Sequence, residues 1–181
     1  MRVITGAAKG RVLKTLDGVD VRPTTEKVKE AVFSAIQFEI EGARVLDLFC
    51  GSGQMGIEAL SRGASFCVFV DHARRSQDIT KQNLNISGLF SLARVAAMDY
   101  QDFLKTTKER FDIAFLDPPY SKGYAQAALL LLPGVMTDSG VILCEHERSD
   151  SLPEEVMGFV RTREYRYGRI SVSAYRKSKS R

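Results

Sequence analysis

The chain contains few of the residues that build disulfide frameworks and metal centres. Its three cysteines, Cys50, Cys67 and Cys144, are widely separated and form no C-x-x-C pair. This spacing argues against a disulfide framework and against a zinc site. The two histidines, His72 and His146, are too few for a histidine-based metal centre, so we expect both to be structural or solvent-facing. We therefore expect no bound metal ion.

Long apolar runs are also absent from the chain. No stretch is long enough to span a bilayer, and the first residues, Met1 to Gly6, lack the apolar core of a signal peptide. Both absences favour a cytoplasmic protein with no membrane partner. The length of 181 residues and the 44% share of hydrophobic residues suit one domain with a sizeable core.

The net charge of +4 is unevenly distributed along the chain. Residues 1–30 carry seven basic and four acidic side chains, and residues 161–181 carry eight basic side chains against one acidic, so the middle is acidic. Basic segments of this kind indicate a polyanionic partner. For residues 177–181 a solvated basic tail is the simpler interpretation. Arg2, Lys9 and Arg11 instead lie in a patterned segment, and we predict that they contact RNA.

Short apolar runs alternate with helical patterns from residue 44 onward. This alternation predicts an α/β fold in which a mostly parallel sheet is covered by helices on both faces. The segment 159–175 alternates as paired antiparallel strands do. Strands are predicted at 45–49, 66–70, 94–97, 112–116 and 141–145, and helices at 54–62, 73–84 and 123–132.

The N-terminal segment has a different pattern from the rest of the chain. Two short apolar pairs, Val3-Ile4 and Val12-Leu13, flank a glycine-containing loop and predict a small β-hairpin arm. Thr24 or Thr25 is suited to cap the helix that follows. We therefore divide the chain into an arm that contributes to RNA binding (1–23), a catalytic domain (24–176) and a basic tail (177–181).

The four residues after the strand at 112–116 carry the strongest functional signal. They are Asp117, Pro118, Pro119 and Tyr120. The prolines end the strand, and because they lack N–H groups their carbonyls are acceptors without competing donors. A carboxylate, such carbonyls and a stacking ring suit a flat base that bears an exocyclic amine. Taken alone, the same residues are equally compatible with an ordinary turn at the end of a strand.

Acidic residues follow the first three predicted strands, where ligands bind in doubly wound sheets. Asp47 closes the first strand and precedes a turn, 51–53, whose small residues let a ligand approach the backbone. Asp71 ends the second strand and suits the two hydroxyls of a ribose. Asp99, expected at the end of the third strand, suits an adenine amino group, and Tyr100 can pack on that ring. The predicted cofactor site comprises Asp47, Phe49, Gly51, Gly53, Asp71, Asp99 and Tyr100.

The charge at the first turn limits the kind of ligand it can hold. No G-K-[ST] sequence follows the glycines, which disfavours a phosphate-cradling P-loop. A carboxylate such as that of Asp47 disfavours a pyrophosphate and favours a ligand with positive charge, such as the ammonium of a methionine moiety. Asp47 could equally be a structural residue that satisfies amides of the turn.

Together these motifs resemble class I S-adenosylmethionine-dependent methyltransferases. The form Asp117-Pro118-Pro119-Tyr120 resembles enzymes that act on exocyclic amines of nucleobases. More specifically, the chain resembles the RsmD family, which methylates the N2 amine of a guanine in 16S ribosomal RNA. The resemblance covers residues 2–176 and is most specific in Arg22-Pro23-Thr24 and Leu60-Ser61-Arg62-Gly63-Ala64.

The chain departs from the pattern of the RsmD family at a few positions. Cys50 replaces alanine, Thr5 replaces glycine, and Gln54-Met55 replace smaller or aliphatic residues. Asp71 replaces the more frequent glutamate, which shortens its reach to a ribose by one methylene. None of these changes removes a functional group that the activity requires.

The resemblance implies a Rossmann-like, mostly parallel sheet of seven strands, S-adenosylmethionine as cofactor and 16S ribosomal RNA in the small subunit as partner. It implies catalytic roles for Asp117 to Tyr120 and RNA contacts through the arm and the Arg22-Pro23-Thr24 region. We expect a monomer. Adenine N6 methylation of DNA or RNA, and RNA binding without catalysis, are the alternatives. The predicted RNA-binding residues are Arg2, Lys9, Arg11, Arg22 and Thr24.

Overall fold

The structure is a computed structural model that describes residues 1–17, 26–120 and 122–179. Its helices are α1 (Glu26–Ala35), α2 (Gln54–Ser61), α3 (Arg74–Ser87), α4 (Tyr100–Thr106) and α5 (Tyr124–Leu129), with short 3-10 helices at Phe90–Leu92 and Leu132–Val135. Its strands are β1 (Arg44–Leu48), β2 (Phe66–Asp71), β3 (Ala93–Ala97), β4 (Phe111–Leu116), β5 (Met136–Glu147), β6 (Glu155–Val156), β7 (Phe159–Tyr167) and β8 (Ile170–Lys177). Over these residues, no helix combines the length and apolar character that crossing a membrane requires.

One sheet with the strand order β3-β2-β1-β4-β5-β8-β7-β6 runs through the molecule. The strands from β3 to β5 in this order are parallel, and β8, β7 and β6 join in antiparallel pairs. The α/β class and the mostly parallel sheet are confirmed. The expected count of seven strands is wrong, because the described residues form eight. The additional strand, β6, has 2 residues, too few to show any alternation in the sequence.

Two apolar clusters fill the two sides of the sheet. The N-terminal arm, α1, α2 and α3 pack on one side, through residues such as Val32, Ile57 and Leu84. The helices α4 and α5 pack on the other side, through residues such as Phe103 and Leu129. The expected helix layers on both faces are therefore confirmed. Burial from both sides also explains why the central strands read as nearly continuous apolar runs.

The strand order reverses direction at β1, which lies between β2 and β4. In doubly wound sheets, ligands bind at such a switch point, outside the carboxyl ends of the strands. Here the two ends meet at Leu48 and Leu116, which are register partners. The glycine turn after β1 and the segment Asp117–Tyr120 after β4 both leave the sheet at this point, so the fold brings the two motifs together.

Asp99 does not end a strand as we expected. β3 ends at Ala97, and the Asp99 side chain accepts a hydrogen bond from the Gln101 N–H at 2.8 Å, which makes Asp99 the N-cap of α4. Such a cap satisfies one of the N–H groups that a helix start leaves without an intrahelical partner. We did not predict α4, because its 7 residues give only one instance of the helical spacing, in Tyr100, Phe103 and Leu104.

The N-terminal residues form the predicted hairpin. Arg2 and Val12 form an antiparallel bridge, and the Leu13 N–H donates to the Met1 C=O at 2.8 Å. Val3 and Leu13 are buried in the same apolar cluster as α1 and α2. The hairpin is therefore packed onto a helix layer of the domain.

Some expected features lie outside the described residues. These are the end of the arm at residue 23, the helix cap at Thr24 or Thr25, and the last two residues of the tail. The described part of the first helix begins at Glu26. The division of the chain into arm, domain and tail stays a prediction.

Close packing of α2 on β2 generates a test of the fold. A Cβ atom at Gly56 would lie 2.3 Å from Phe69 Cε1 and 2.7 Å from Cys67 Sγ, and both of these residues are fully buried. Overpacking costs about 1–3 kcal/mol or more, which exceeds the roughly 1 kcal/mol by which alanine is favoured over glycine inside a helix. We therefore expect Gly56→Ala to lower the free energy of unfolding, measured by urea denaturation.

The control for this experiment is Gly134→Ala, because nothing lies within 4 Å of a Cβ added there. Its urea midpoint should stay close to that of the wild type. Equal midpoints for the two variants would show that the α2–β2 contact is looser than the structure indicates.

Candidate active site

The turn after β1 is shaped by left-handed backbone conformations. Phe49, Gly51 and Gly53 have φ angles of 60°, 55° and 79°. Glycine adopts such values readily, whereas a bulky residue such as Phe49 is strained there. The Gly51 N–H donates to Asp71 Oδ2 at 3.0 Å, and the Thr80 hydroxyl donates to the Gly51 C=O at 2.8 Å. β2 and α3 therefore hold the turn in its unusual conformation.

Asp47 is a buried carboxylate next to this turn. Asp47 is only 2% exposed, and its Oδ2 accepts a hydrogen bond from the Gly56 N–H at 2.9 Å. Burial raises the pKa of Asp47 to about 7; the Gly56 hydrogen bond opposes this rise, and the negative charge of Asp71 adds to it. Because an adjacent cation favours the charged form of a carboxylate, a cationic ligand would lower this pKa again.

The spacing of the glycines does not by itself identify the ligand. Gly51, Gly53 and Gly56 match G-x-G-x-x-G, the spacing typical of dinucleotide-binding turns. Gly56 is required by its packing against β2, whatever the ligand. Asp47 is the discriminating residue, because a buried carboxylate repels a pyrophosphate and attracts a cation.

Asp71 connects the β1 turn to the start of α3. Its Oδ2 accepts from the Gly51 N–H, and its Oδ1 accepts from the Ala73 N–H at 2.9 Å. The Gln77 side chain donates to the Asp71 C=O at 2.9 Å. Each carboxylate oxygen has more than one acceptor position, so these bonds are compatible with ribose hydroxyls on the same group. The ribose contact stays a prediction.

Three aromatic rings form a cluster beside the β1 turn. The Tyr100 ring centroid lies 4.9 Å from that of Phe49 and 6.0 Å from that of Tyr124. Tyr100 is buried, and Gln101 Nε2 donates to its hydroxyl at 3.0 Å. Sequence reasoning missed Tyr124, which belongs to no motif. The adenine contacts expected for Asp99 and Tyr100 stay predictions.

The segment Asp117–Tyr120 leaves the sheet directly after β4. The β4–β5 ladder ends with Leu116 opposite Cys144, because the two prolines that follow have no N–H to continue it. Tyr120 approaches β5, and its hydroxyl donates to Glu145 Oε1 at 2.7 Å. Glu145 was also missed from the sequence, although an acidic residue at the end of an apolar strand was an available signal.

A cavity of about 210 Å³ lies beside this segment. This volume exceeds the roughly 30 Å³ of a water molecule and falls below the roughly 300–1,000 Å³ of pockets for drug-sized ligands. It is therefore large enough for a single flat ring system. Its lining includes Pro118, Pro119, Tyr120, Tyr124, Glu145 and Leu152.

The predicted RNA-binding residues of the arm that the structure describes are exposed to solvent. These are Arg2, Lys9 and Arg11. Arg22 and Thr24 lie outside the described residues. Contact of all five with RNA stays a prediction.

Glu58 in α2 anchors the arm to the domain. It is fully buried, and its two oxygens accept from the Ile4 and Thr5 N–H groups at 2.9 and 3.0 Å. The Lys29 ammonium lies 3.3 Å from Glu58 Oε2 and donates to the Arg2 C=O at 2.8 Å. Removing one partner of such a buried ion pair typically costs about 3–5 kcal/mol. The base of the arm is therefore fixed, a role that sequence reasoning did not assign.

Asn83 in α3 joins a later part of the arm, at Lys14, to the β1 turn. Its Nδ2 donates to the Lys14 C=O at 2.9 Å and to the Ser52 C=O at 2.8 Å. Its Oδ1 accepts from the Lys14 N–H at 2.8 Å. Asn83 is fully buried. One side chain therefore connects the segment assigned to RNA with the turn assigned to the cofactor.

Much of the basic charge near the C-terminus is paired with acidic side chains. Arg176 makes two hydrogen bonds to the Glu39 carboxylate, each of 2.7 Å. Because this charge is satisfied within the protein, the region is a weaker candidate for an RNA surface than the arm. The pairs are Arg161–Glu154, Arg166–Glu164, Arg176–Glu39 and Lys177–Asp138.

Known proteins are similar in sequence to this chain over nearly its whole length. A family model described as Conserved hypothetical protein 95 matches residues 1–176. Putative rRNA methyltransferase YlbH from Bacillus subtilis is 43% identical over 182 aligned residues, which cover 98% of this chain and 99% of that protein. Ribosomal RNA small subunit methyltransferase D from Escherichia coli is 32% identical over 180 residues, which cover 98% of this chain and 90% of that protein. The chain belongs to the RsmD family.

A solved structure of a similar protein supports the fold. The putative methyltransferase yhhF from Escherichia coli matches with a TM-score of 0.88 at 31% identity, over 99% of each chain. The Rossmann-like methyltransferase fold that the motifs implied is therefore confirmed for this RsmD-family chain.

Two departures of this RsmD-family member from the family pattern lie at the β1 turn. Cys50 is buried with its Sγ 3.5 Å from Thr80 Oγ1, and burial together with the charges of Asp47 and Asp71 raises the pKa of its thiol. Gln54 is also buried, and its Oε1 has no hydrogen-bond partner among the described residues. A buried acceptor without a donor is costly, so this atom is suited to receive a donor from a ligand.

The role of Asn83 can be tested with a truncation. We expect Asn83→Ala to lower the free energy of unfolding by about 1–3 kcal/mol, because the three hydrogen bonds that the buried Asn83 side chain makes to Lys14 and Ser52 are lost. Hydrogen exchange at the Lys14 N–H should accelerate in the same variant. Asn85→Ala, at an exposed position of the same helix, should change neither property. Equal exchange at Lys14 in the two variants would rule out the connection.

Proposed function

We propose that this protein transfers a methyl group from S-adenosylmethionine to the N2 amine of a guanine in the 16S ribosomal RNA of the small subunit. The observation that carries the proposal is the meeting of Asp117–Tyr120 with the β1 turn at one switch point of the sheet. The names of the RsmD-family relatives support ribosomal RNA as the substrate and methyl transfer as the reaction. A cytoplasmic location fits this substrate.

The residues around the β1 turn fit S-adenosylmethionine. The Asp47 carboxylate and Gln54 Oε1, which has no partner in the described part of the chain, are acceptors that suit the cationic methionine end. Asp71 would hold the ribose, and Asp99 with Tyr100 would hold the adenine. When bound, this cofactor supplies a methyl group already activated on a sulfonium, so the reaction requires neither a metal ion nor a covalent enzyme intermediate.

The residues after β4 would hold the reacting amine. The Asp117 carboxylate and the Pro118 carbonyl accept its N–H groups, and Tyr120 stacks on the base. The lone pair of such an amine is conjugated into the ring, and these hydrogen bonds favour the pyramidal form that can attack. Positioning and hydrogen bonding therefore account for most of the catalysis. The amine becomes acidic after it gains the methyl group, so its proton can leave after the transfer.

The arm would hold the RNA over the cleft. Arg2, Lys9, Arg11 and Arg22 would contact phosphates and Thr24 would bind beside them, which predicts strongly salt-dependent binding. The target base must leave its stack to reach the cavity, as enzymes that act on base atoms require. Because Glu58 and Asn83 fix two parts of the arm, the phosphates would be held at a defined distance from the cavity.

The proposal is tested with radiolabelled S-adenosylmethionine and small ribosomal subunits from cells that lack this gene. The expected result is label in one guanine, identified by mass mapping as N2-methylguanosine. Label in adenine of DNA tested in parallel, with none in RNA, would overturn the substrate assignment and leave the catalytic segment in place.

Asp117→Ala should lower the turnover of this reaction by roughly 100-fold or more, because the amine loses a positioned hydrogen-bond partner. The affinity for S-adenosylmethionine, measured by calorimetry, should stay unchanged. The control is Asp102→Ala, which alters an exposed aspartate of α4 and should leave both quantities unchanged. Normal turnover with Asp117→Ala would remove Asp117 from the site.

Asp47 predicts a pH dependence of cofactor binding. Its pKa of about 7 means that the free protein holds a proton below neutral pH, and a cationic ligand must displace that proton. Affinity for S-adenosylmethionine should therefore rise as the pH increases toward about 7, with proton release detected by calorimetry in buffers of different ionisation enthalpy. The same raised pKa makes the ligand-free fold less stable as the pH rises through this range.

Asp47→Asn is the control for this measurement. It should bind more weakly and show no proton release below pH 7. The amino group of the ligand itself is expected to titrate at about pH 7.7–8.0, the usual range for an α-amino group. This titration is the same for both proteins, so the difference between their pH profiles reports on Asp47 alone. Equal pH profiles for wild type and Asp47→Asn would contradict the cationic-ligand assignment.

A further inference from the structure

β5 continues beyond the point where β4 ends. The last register pair between them is Leu116 and Cys144, and one residue further along stand Asp117 and Glu145. β8 continues to pair with β5 as far as Glu147, which supports the projecting part of the strand. Asp117, just past the end of β4, and Glu145, in β5, therefore lie at the same level of neighbouring chain segments, and Glu145 lines the cavity.

Alternation along β5 places Glu145 on the same face of the sheet as Leu143, and Asp117 directly follows the end of β4. Glu145 follows Leu143 and Asp117 follows Phe115 at spacings of two residues, and Leu143 and Phe115 both belong to the apolar cluster under α1, α2 and the arm. The arm assigned to RNA packs on this same side. Glu145 lines the cavity together with Tyr124 and Leu152, which pack with the other apolar cluster, so a base in the cavity would meet Glu145 at the end of the sheet.

The position of Glu145 is fixed by its neighbours. Glu145 is 9% exposed, and Tyr120 donates to its Oε1. The next residue, His146, is also buried; its Nδ1 donates to the Glu147 C=O at 2.8 Å, so its Nε2 can accept from the Ser173 hydroxyl at 2.8 Å. This end of β5 is therefore a rigid part of the cavity wall.

The bases that bear an exocyclic amine differ in the ring nitrogen next to that amine. On the Watson–Crick edge of adenine and of cytosine, this nitrogen is an acceptor. In guanine it is N1–H, a donor. A site that holds the amine and also presents a carboxylate to the neighbouring ring nitrogen therefore favours guanine, because flipped bases are read through this edge.

We propose that Glu145 accepts the N1–H of the target base and so selects guanine over adenine and cytosine. This assignment rests on the proposed function, in which Asp117 and Pro118 hold the adjacent amine. A carboxylate has about four acceptor positions, so Glu145 can receive the Tyr120 hydroxyl and the base N–H together. The Tyr120 hydroxyl would also set the distance between the stacking ring and the carboxylate. Adenine in the same place would direct a lone pair at the carboxylate.

The test replaces the target guanine with 2-aminopurine, which keeps the reacting amine but has an acceptor at N1. Small subunits are reconstituted with 16S ribosomal RNA that carries either base at the methylated position, and kcat/KM is measured for each. The wild type should prefer guanine by roughly 10- to 100-fold. Glu145→Gln should reduce this preference by about tenfold, because its side-chain amide offers a donor as well as an acceptor.

The preference is a ratio within one variant, so a general loss of activity does not change it. Tyr120→Phe keeps the ring and removes the hydroxyl that holds Glu145, and its preference should fall between those of the wild type and Glu145→Gln. Glu155→Gln, at an exposed position of β6, should behave as the wild type. Affinity for S-adenosylmethionine should be unchanged in all of these variants.

An unchanged guanine preference in Glu145→Gln, or equal use of the two bases by the wild type, would overturn the role of Glu145. Neither result would affect the proposed function, because N2-methylguanosine would still form. If the wild type forms no N2-methylguanosine on any subunit, the proposed function and the role of Glu145 both fail.

Discussion

Burial of the central parallel strands on both faces decides where this protein can carry charge. Within β1 and β4, nearly every side chain contacts a helix layer, so polar groups are excluded except near the strand ends. Asp47 is the exception inside β1, and burial disfavours its charged form and so raises its pKa to about 7. Among the remaining acids of the site, Asp71 ends β2, Asp117 follows β4, and Glu145 lies two residues before the end of β5. The two helix layers and the reversal of strand order at β1 thus determine where the site lies, whatever residues occupy the turns.

The elements that could be predicted from the sequence are those marked by a run or a regular spacing of apolar residues. The strands from β1 to β5 are apolar runs, and the turns at Asp47 and Asp117 follow them directly, so both could be located from the sequence alone. Asp99 was misplaced because α4 is a short helix whose cap looks, in sequence, like the end of a strand. β6 was missed because two residues cannot show an alternation.

Contacts between distant segments were beyond prediction for another reason. Glu58, Asn83 and Glu145 are polar residues in buried surroundings, and they bind segments 25 to 69 positions away, although Glu58 also pairs with nearby Arg62. Nothing local distinguishes Glu58 from a solvent-facing helix residue until the arm is docked on it. The sequence identifies such residues only as polar exceptions in an apolar pattern, and the fold then shows which backbone groups they satisfy.

The anchoring of the hairpin by Glu58 has a consequence for how this chain can be altered. A hairpin attached only by its ends could be exchanged between relatives as a cassette. Here the Ile4 and Thr5 N–H groups of the hairpin donate hydrogen bonds to the buried Glu58 carboxylate. The hairpin also packs closely on α2, because an added Cβ at Gly6 would lie 1.7 Å from the Ser61 carbonyl oxygen. A chimera that carries the hairpin of a relative must therefore also carry the face of α2 that contacts it. The hairpin and α2 can be exchanged between relatives only together.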